Sequence, residues 1–335
     1  AAMEMLRRMM EGAHVGEGED EEGAVVDPCQ YLKEGVALPS FAQAILEGRV
    51  RNIVVMCGAG ISVSCGIPDF RSPNFGLYSR LAAEGKYNLE SPEEIFSIDF
   101  FKKDPVPFYE LVKELIPKDL SPSLTHYFLK LLEKKQVLRR VYTQNIDGLE
   151  LRSGLSPDMV VEAHGSFSGA SCPACHREVD PKDIISAAVR GQVHRCSACD
   201  AVTKPNIVFF GEALPARFHE LQAEDFEACD MLLVMGTSLQ VMPFASLLHK
   251  PKVNVPRALF NREKVGNSVE GSFFALLQGL RHPFAFDSAS NIRDLFVPGD
   301  CDDSVLAFCD LLGWKDELLA LREAEIEKLA PMYEL

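Results

Sequence analysis

No apolar run in the chain approaches the roughly 18 residues that a membrane-spanning helix needs. Runs such as 53–57 and 231–235 are far shorter, so no transmembrane helix is expected. Basic residues are also scarce: 34 Lys and Arg stand against 49 Asp and Glu, a formal net charge of -15. That balance disfavours sequence-independent binding to a phosphate backbone and favours a basic peptide as partner. Residues 1–10 lack an uninterrupted apolar segment, being broken by Glu4, Arg7 and Arg8, so no secretory signal is read there. Glu11, Glu17, Glu19, Asp20, Glu21 and Glu22 follow closely; transit peptides are poor in acids, and a solvated acidic arm is expected instead. Ten cysteines in so large a chain with no such leader read as thiols of a reducing compartment. No repeat with a period of 20–50 residues is apparent. With 47% hydrophobic and 25% charged residues the chain is neither mostly disordered nor fibrous, and its 335 residues are comfortable for two domains.

What the sequence does contain is an alternation. Short apolar runs at 52–57, 137–143, 231–235 and 257–260 are separated by segments long enough for a crossover helix, the pattern of buried parallel strands. Each run ends in a polar or glycine cluster: Gly58-Ala59-Gly60, Gln144-Asn145-Ile146-Asp147, Gly236-Thr237-Ser238 and Asn261-Arg262-Glu263. Ligands of open α/β sheets lie beyond the carboxyl ends of the strands, so the four clusters predict one shared crevice. The expected fold class is therefore α/β, a Rossmann-like doubly wound parallel sheet. Between 165 and 203 the alternation breaks into a cysteine-bearing stretch with little periodicity beyond 183–189, which reads as an insertion. A β-like run resumes at 206–210, a second helical region spans 92–138, and helical spacing at 305–312 and 318–329 closes the chain.

The most specific local signal is Cys172-Pro-Ala-Cys175 and Cys196-Ser-Ala-Cys199, two C-x2-C pairs separated by twenty residues. Two such knuckles can complete a tetrahedral thiolate site for zinc, structural because all four positions are protein ligands; a pair of redox dithiols is the other reading. Gly58-Ala59-Gly60-Ile61-Ser62-Val63 follows a strand and places glycines where a backbone can approach a pyrophosphate, although Gly66 arrives too late for a regular G-x-G-x-x-G. An ordinary glycine turn fits those residues equally well. Asp69-Phe70-Arg71 sets a charge pair around an aromatic, suited to covering a cofactor and equally to a plain loop. Asp147 is a cap or a ligand-binding side chain, and His164 a base or a satisfied structural histidine.

In order and spacing these blocks, with Ile67-Pro68-Asp69-Phe70-Arg71, Tyr142-Thr143-Gln144-Asn145-Ile146-Asp147, Glu162-Ala163-His164-Gly165 and Phe209-Phe210-Gly211-Glu212, resemble the sirtuins, NAD-dependent protein lysine deacylases. The resemblance runs from about Tyr31 to Glu327. Phe286-Asp287-Ser288, Arg293-Asp294 and Gly299-Asp300-Cys301-Asp302 look most like the cytoplasmic and nuclear-shuttling subgroup that deacetylates tubulin and histones. It departs from the family's pattern at Val63-Ser64-Cys65 and in a longer region at 82–86.

The resemblance implies an acidic arm at 1–30 and a catalytic region at 31–330. The large domain would comprise 31–75, 138–164 and 205–330, and the small domain a helical insertion at 76–137 and a zinc ribbon at 165–204. It implies NAD as cofactor and one structural zinc on Cys172, Cys175, Cys196 and Cys199. It implies His164 as the base and Asn145 as a second catalytic residue, with Gly58, Ala59, Gly60, Ile61, Ser62, Val63, Asp69, Phe70, Arg71, Gln144, Ile146, Asp147, Gly236, Thr237, Ser238, Asn261, Arg262, Glu263 and Cys301 around NAD. Val208, Phe209, Phe210, Gly211 and Glu212 would offer a strand edge to an acyl-lysine peptide, such as a histone tail or a tubulin segment. The implied reaction moves the acyl group to ADP-ribose, releasing nicotinamide and O-acyl-ADP-ribose. Residues 108–112 hold no tyrosine and arginine pair like that of desuccinylating relatives, so acetyl or apolar acyl groups are expected. The rival readings are a protein mono-ADP-ribosyltransferase and an NAD-sensing zinc-ribbon module without turnover. No sequence-specific nucleic-acid binding and no membrane association are expected, and the location implied is the cytoplasm with the nucleus.

Overall fold

Nine strands organise the described chain, in order β1 (Ile53–Cys57), β2 (Leu138–Thr143), β3 (Val160–Glu162), β4 (Gly165–Ser171), β5 (Glu178–Val179), β6 (Lys204–Ile207), β7 (Met231–Met235), β8 (Arg257–Asn261) and β9 (Asp294–Pro298). This computed structural model describes residues 30–72, 76–85, 87, 89–116, 120–267 and 283–329. The acidic arm read at 1–30 therefore lies outside the described residues except for Gln30, as do Lys86 and residue 330.

Six strands form one all-parallel sheet in the order β3-β2-β1-β7-β8-β9. Every residue of β1 and β7 is buried, as expected where a parallel sheet is covered on both faces. The period of two divides them between two cores. Ile53, Val55 and Cys57, with Met231, Leu233 and Met235, pack against Phe41, Phe128 and Phe308. Val54, Met56, Leu232 and Val234 pack on the opposite face with Tyr142, Phe218, Phe226 and Phe244. The four strands read from apolar runs lie side by side as β2-β1-β7-β8, so their polar ends do line one edge. The sheet is wider than that reading: β3, only three residues long, and the edge strand β9 join it as well.

The inserted stretch contains more strand than its weak periodicity suggested. β4 pairs antiparallel with β5 and β6, and the Pro181–Val189 helix, capped by the Asp180 carboxylate accepting from the Lys182 N–H, packs against them. Its buried residues share one core with the helical segment near residues 77–112, including Leu77, Phe96, Phe108, Phe167, Ile184 and Phe209. Phe209 lies edge-on to Phe108 with ring centroids 4.8 Å apart and to Phe101 at 5.4 Å, the arrangement aromatic quadrupoles favour. The β-like run read over 206–210 is shorter in fact: β6 stops at Ile207 because the Val208 N–H turns to the His164 carbonyl at 2.7 Å.

Candidate functional site

A cavity of ≈ 470 Å³ opens between the carboxyl edge of the large sheet and the aromatic core beside it. After β1 the chain forms two 3-10 turns, Ala59–Ile61 and Val63–Cys65, rather than a helix. Gly66, with φ +88, ends the second of them, which explains why the glycine spacing is irregular. A side chain at Gly60 would meet the Gly236 backbone at 2.6 Å, and one at Gly236 would meet the Ile61 N at 2.6 Å. The two turns therefore pack backbone to backbone and leave a floor of bare peptide. Gly58, Ala59, Gly60, Val63, Asp69, Phe70, Arg71, Gln144, Asn145, Ile146, Gly236, Thr237, Ser238, Asn261, Arg262, Glu263 and Cys301 all reach the cavity wall. Ile61, Ser62 and Asp147 do not; they are buried beneath it and hold the wall from behind.

The wall is tied together by side chains from different strand ends. Gln144, after β2, donates its amide to Thr237 Oγ1 at 2.8 Å, after β7. Ser62 donates to Asp147 Oδ2 at 2.7 Å, and Asp147 Oδ1 accepts the Leu149 N–H at 2.9 Å. Asp147 does not cap the short Leu149–Arg152 helix, whose N-cap is Gly148 with no side-chain cap bond; it closes the turn ahead of that helix and holds Ser62. Asp69 accepts from the Arg71 and Ser72 N–H groups and closes its own turn. At the far end Arg262 pairs with Asp300, and burial pushes the Cys301 thiol up to about 12, so it stays neutral.

His164 also lines this cavity. Its Nδ1 lies 3.1 Å from the Gln144 carbonyl, which can only accept, so Nδ1 carries the proton and Nε2 keeps its lone pair. Burial holds its pKa below the usual 6.5, the Gln144 carbonyl acts the other way, and the Arg71 charge adds to the lowering. The imidazole is therefore neutral at pH 7. Because the folded chain binds this proton less readily than the unfolded one, the stability that His164 contributes at neutral pH is lost as pH falls below 6.5 toward its lower folded value. If His164 is the base, the acid limb of a kcat/KM profile should lie below pH 6.5. A limb at or above that value would assign it to another group.

The 208–212 segment lines the same cavity and starts beside His164, whose carbonyl accepts the Val208 N–H at 2.7 Å. It is not a free strand. The Phe210 N–H donates to the Phe96 carbonyl and its carbonyl accepts from Ile98, while the Phe209 N–H goes to Glu212 Oε2 at 2.8 Å. Glu212 is held in turn by Lys204, a buried lysine that the motifs did not single out. Lys204 Nζ lies 3.0 Å from Glu212 Oε2, donates to the Ile207 carbonyl at 2.6 Å and sits 4.5 Å above the Phe209 ring. A lysine just before an apolar run was its one trace in the sequence. Glu150, close behind Asp147, was missed as well and is fully buried by its neighbours.

The four ribbon cysteines come together. Cys172 and Cys199 sulfurs are 3.5 Å apart, Cys175 and Cys196 3.6 Å, and all four lie within 4.8 Å of one another. Zinc–sulfur bonds of about 2.3 Å place the corners of a tetrahedron about 3.8 Å apart, so one zinc fits among these four. The Ala198 N–H aimed at its sulfur holds Cys196 down to about 7, toward the thiolate that binds metal. No cysteine of the described residues is in a disulfide, and no helix among them is long and apolar enough to cross a membrane.

The model of the Sir2 family matches residues 58–243, from the glycine turn through the ribbon to the far wall of the cavity. The chain belongs to the Sir2 family. It is 45% identical over 296 residues to the NAD-dependent protein deacetylase sirtuin-2 of Danio rerio, covering 88% of this chain and 76% of that protein. The NAD-dependent protein deacetylase hst2 of Schizosaccharomyces pombe is 42% identical over 305 residues, 91% of this chain and 85% of its own. The NAD-dependent protein deacetylase sirtuin-3 of Mus musculus is 45% identical over 293 residues, with 88% and 81% covered. The cavity of this Sir2-family chain thus has a Rossmann-like sheet edge on one side and the aromatic core with the 207–212 segment on the other.

Proposed function

We propose that this chain is an NAD-dependent protein lysine deacetylase that transfers the acyl group of acyl-lysine to ADP-ribose. The observation that carries this reading is His164: a neutral imidazole, fixed by Gln144 with Nε2 free, lining the same cavity as the glycine floor and the 208–212 segment. NAD, when bound, supplies the reactive ribose carbon and the hydroxyl that takes up the acyl group. The bare backbone of Gly58 and Gly60 suits close approach by the pyrophosphate, and Thr237, Ser238 and Asn261 offer polar groups to phosphates and ribose. Asn145, with its side chain tied to Ser62 at 3.4 Å, presents the nicotinamide end. Phe70 covers the reacting centre from the aromatic core that it packs against, and His164 Nε2 receives the hydroxyl proton.

The peptide would lie along 208–212, where the carbonyls left over from the Phe96 and Glu212 pairings accept its main-chain N–H groups. Exposed Phe210 and Met242 on the lining give it apolar contact. Main-chain binding tolerates many flanking side chains, in keeping with acyl-lysines of basic histone tails or of tubulin, and with residence in the cytoplasm and nucleus. The two cores either side of the sheet and the separate aromatic core support a large and a small domain, but with the Leu124–Lys134 helix on the large one, whose core takes in Tyr127, Phe128 and Leu131, and with Ile207 and Phe209 on the small one, so the limits expected at 76–137 and 205–330 both shift.

Nicotinamide release measured with and without acetyl-lysine peptide, with mass analysis of the peptide, tests the reading. Release that depends on the peptide and removes one acetyl group is expected. Peptide-independent binding of NAD without release, or a gain of ADP-ribose on the protein substrate, would overturn it. Succinyl-lysine should be turned over more slowly than acetyl-lysine, because Tyr109 is buried with its hydroxyl donated to the Thr203 carbonyl at 2.8 Å and offers an acidic acyl group nothing. Faster desuccinylation would contradict this.

A further inference from the structure

Behind Asn145 lies a buried cluster that the proposed reaction does not use. A ring nitrogen of His126 and carboxylate oxygens of Asp147 and Glu150 lie within 4.8 Å of one another, all three side chains buried. Apart from His126 Nε2, a buried nitrogen with no hydrogen-bond partner in the structure, their buried polar atoms have protein partners. His126 Nδ1 accepts from the Ser123 N–H at 3.2 Å, and Asp147 takes Ser62 and Leu149. Glu150 Oε1 accepts from the Thr143 hydroxyl, and Thr143 Oγ1 accepts the Asn145 N–H at 3.0 Å. The Asn145 side-chain amide reaches the same Glu150 oxygen at 3.5 Å. Glu150 therefore grips Asn145 twice, once through Thr143 and once directly.

Two carboxylates this close and this deeply buried cannot both be ionised without a cation between them. We propose that Glu150 is a positioning residue for the reaction: an uncharged carboxylic acid that fixes Thr143 and Asn145 from behind. The groups that face it are Thr143 and Asn145 at the end of β2, Asp147 on its own loop, His126 from the Leu124–Lys134 helix, Cys57 at the end of β1 and Glu162 on β3. None supplies a positive charge at neutral pH. Burial keeps the His126 imidazole below its usual value and the Cys57 thiol well above its own. Burial first, then the Asp147 charge, push Glu150 up to about 8, and burial raises Glu162 also. The role as positioning residue rests on the deacetylase reading; the protonation state does not.

Glu150→Gln and Glu150→Ala separate the alternatives. Infrared spectra of the unliganded protein at pH 7 should show a protonated carboxyl band that disappears in Glu150→Gln and titrates away in wild type near pH 8. A spectrum unchanged by Glu150→Gln would overturn the proposal without touching the deacetylase reading. In turnover, Glu150→Gln, neutral and similar in shape, should stay within about threefold of wild-type kcat near pH 7, whereas Glu150→Ala should lose at least about tenfold, because displaced reacting groups lose rate steeply. The alkaline limb that ionisation of Glu150 gives wild type near pH 8 should be absent from Glu150→Gln. A Glu150→Gln protein that keeps that limb, or that falls as far as Glu150→Ala, would overturn the role. If Glu150→Ala does not fold, the Glu150→Gln comparison decides alone. A wild-type protein inactive on acetyl-peptide would count against the deacetylase reading, with the infrared result still standing.

Discussion

His164→Ala should lower peptide deacetylation by at least about 100-fold while the fold and NAD affinity persist, the loss expected when a positioned general base is removed. The imidazole lines the cavity, with Phe244 at 6.1 Å between ring centroids and one hydrogen bond to a backbone carbonyl. Truncation therefore removes a proton acceptor and little packing. Exchange of labelled nicotinamide into NAD, which in the proposed reaction precedes the step that needs a base, should be spared more than deacetylation. Melting temperature, NAD affinity, exchange and deacetylation measured on one preparation of each protein make the comparison. Near-normal deacetylation by a folded variant would remove His164 from the mechanism.

The second large effect is expected from the ribbon. Metal analysis should find one zinc per chain, and Cys175→Ala or Cys199→Ala should lose it. Thiolate coordination is coupled to local folding, so the ribbon should loosen in these variants. The consequence for activity follows from connectivity. β4 begins at Gly165, immediately after His164, and β6 ends at Ile207, immediately before Val208. Gly165 pairs with Ile207, and Val208 donates to the His164 carbonyl. Disorder in the ribbon thus reaches His164 and the 208–212 segment together. Deacetylation should fall at least about tenfold, since small displacements of reacting groups are costly, while NAD binding, proposed along the sheet edge, should suffer less. Full activity in a variant shown to lack zinc, or zinc-free wild-type protein, would refute the assignment.

How far the sequence led depends on where each residue's chemistry is decided. β1 and β7 were legible because strands buried on both faces must be apolar throughout, and their polar ends then marked the cavity edge. The cysteine spacing was legible because metal geometry is local. β3 has three residues, and in β9 the apolar Leu295-Phe296-Val297 is bounded by Pro298 and by Asp294, whose carboxylate is committed to the buried Arg257 at 2.6 Å; both apolar stretches went unread because they are so short. The strand expected through Phe210 ended early because long-range partners, Phe96 and Ile98, claimed its backbone groups. Lys204 and Glu150 escaped for a related reason. A charged residue beside an apolar run reads as solvated, and only the fold shows that Glu212 and Thr143 accompany them into the interior.

The glycine floor has a bearing on redesign. Gly60 and Gly236 exclude each other's side chains through backbone atoms, not through side chains that a second substitution could shrink. No compensating pair is available, so the spacing between the ends of β1 and β7 behaves as a fixed dimension of the scaffold. Attempts to retarget the enzyme to a cofactor of different shape have latitude at Asn261, Arg262 and Glu263, on the strand end outside that contact, and essentially none at the two glycines.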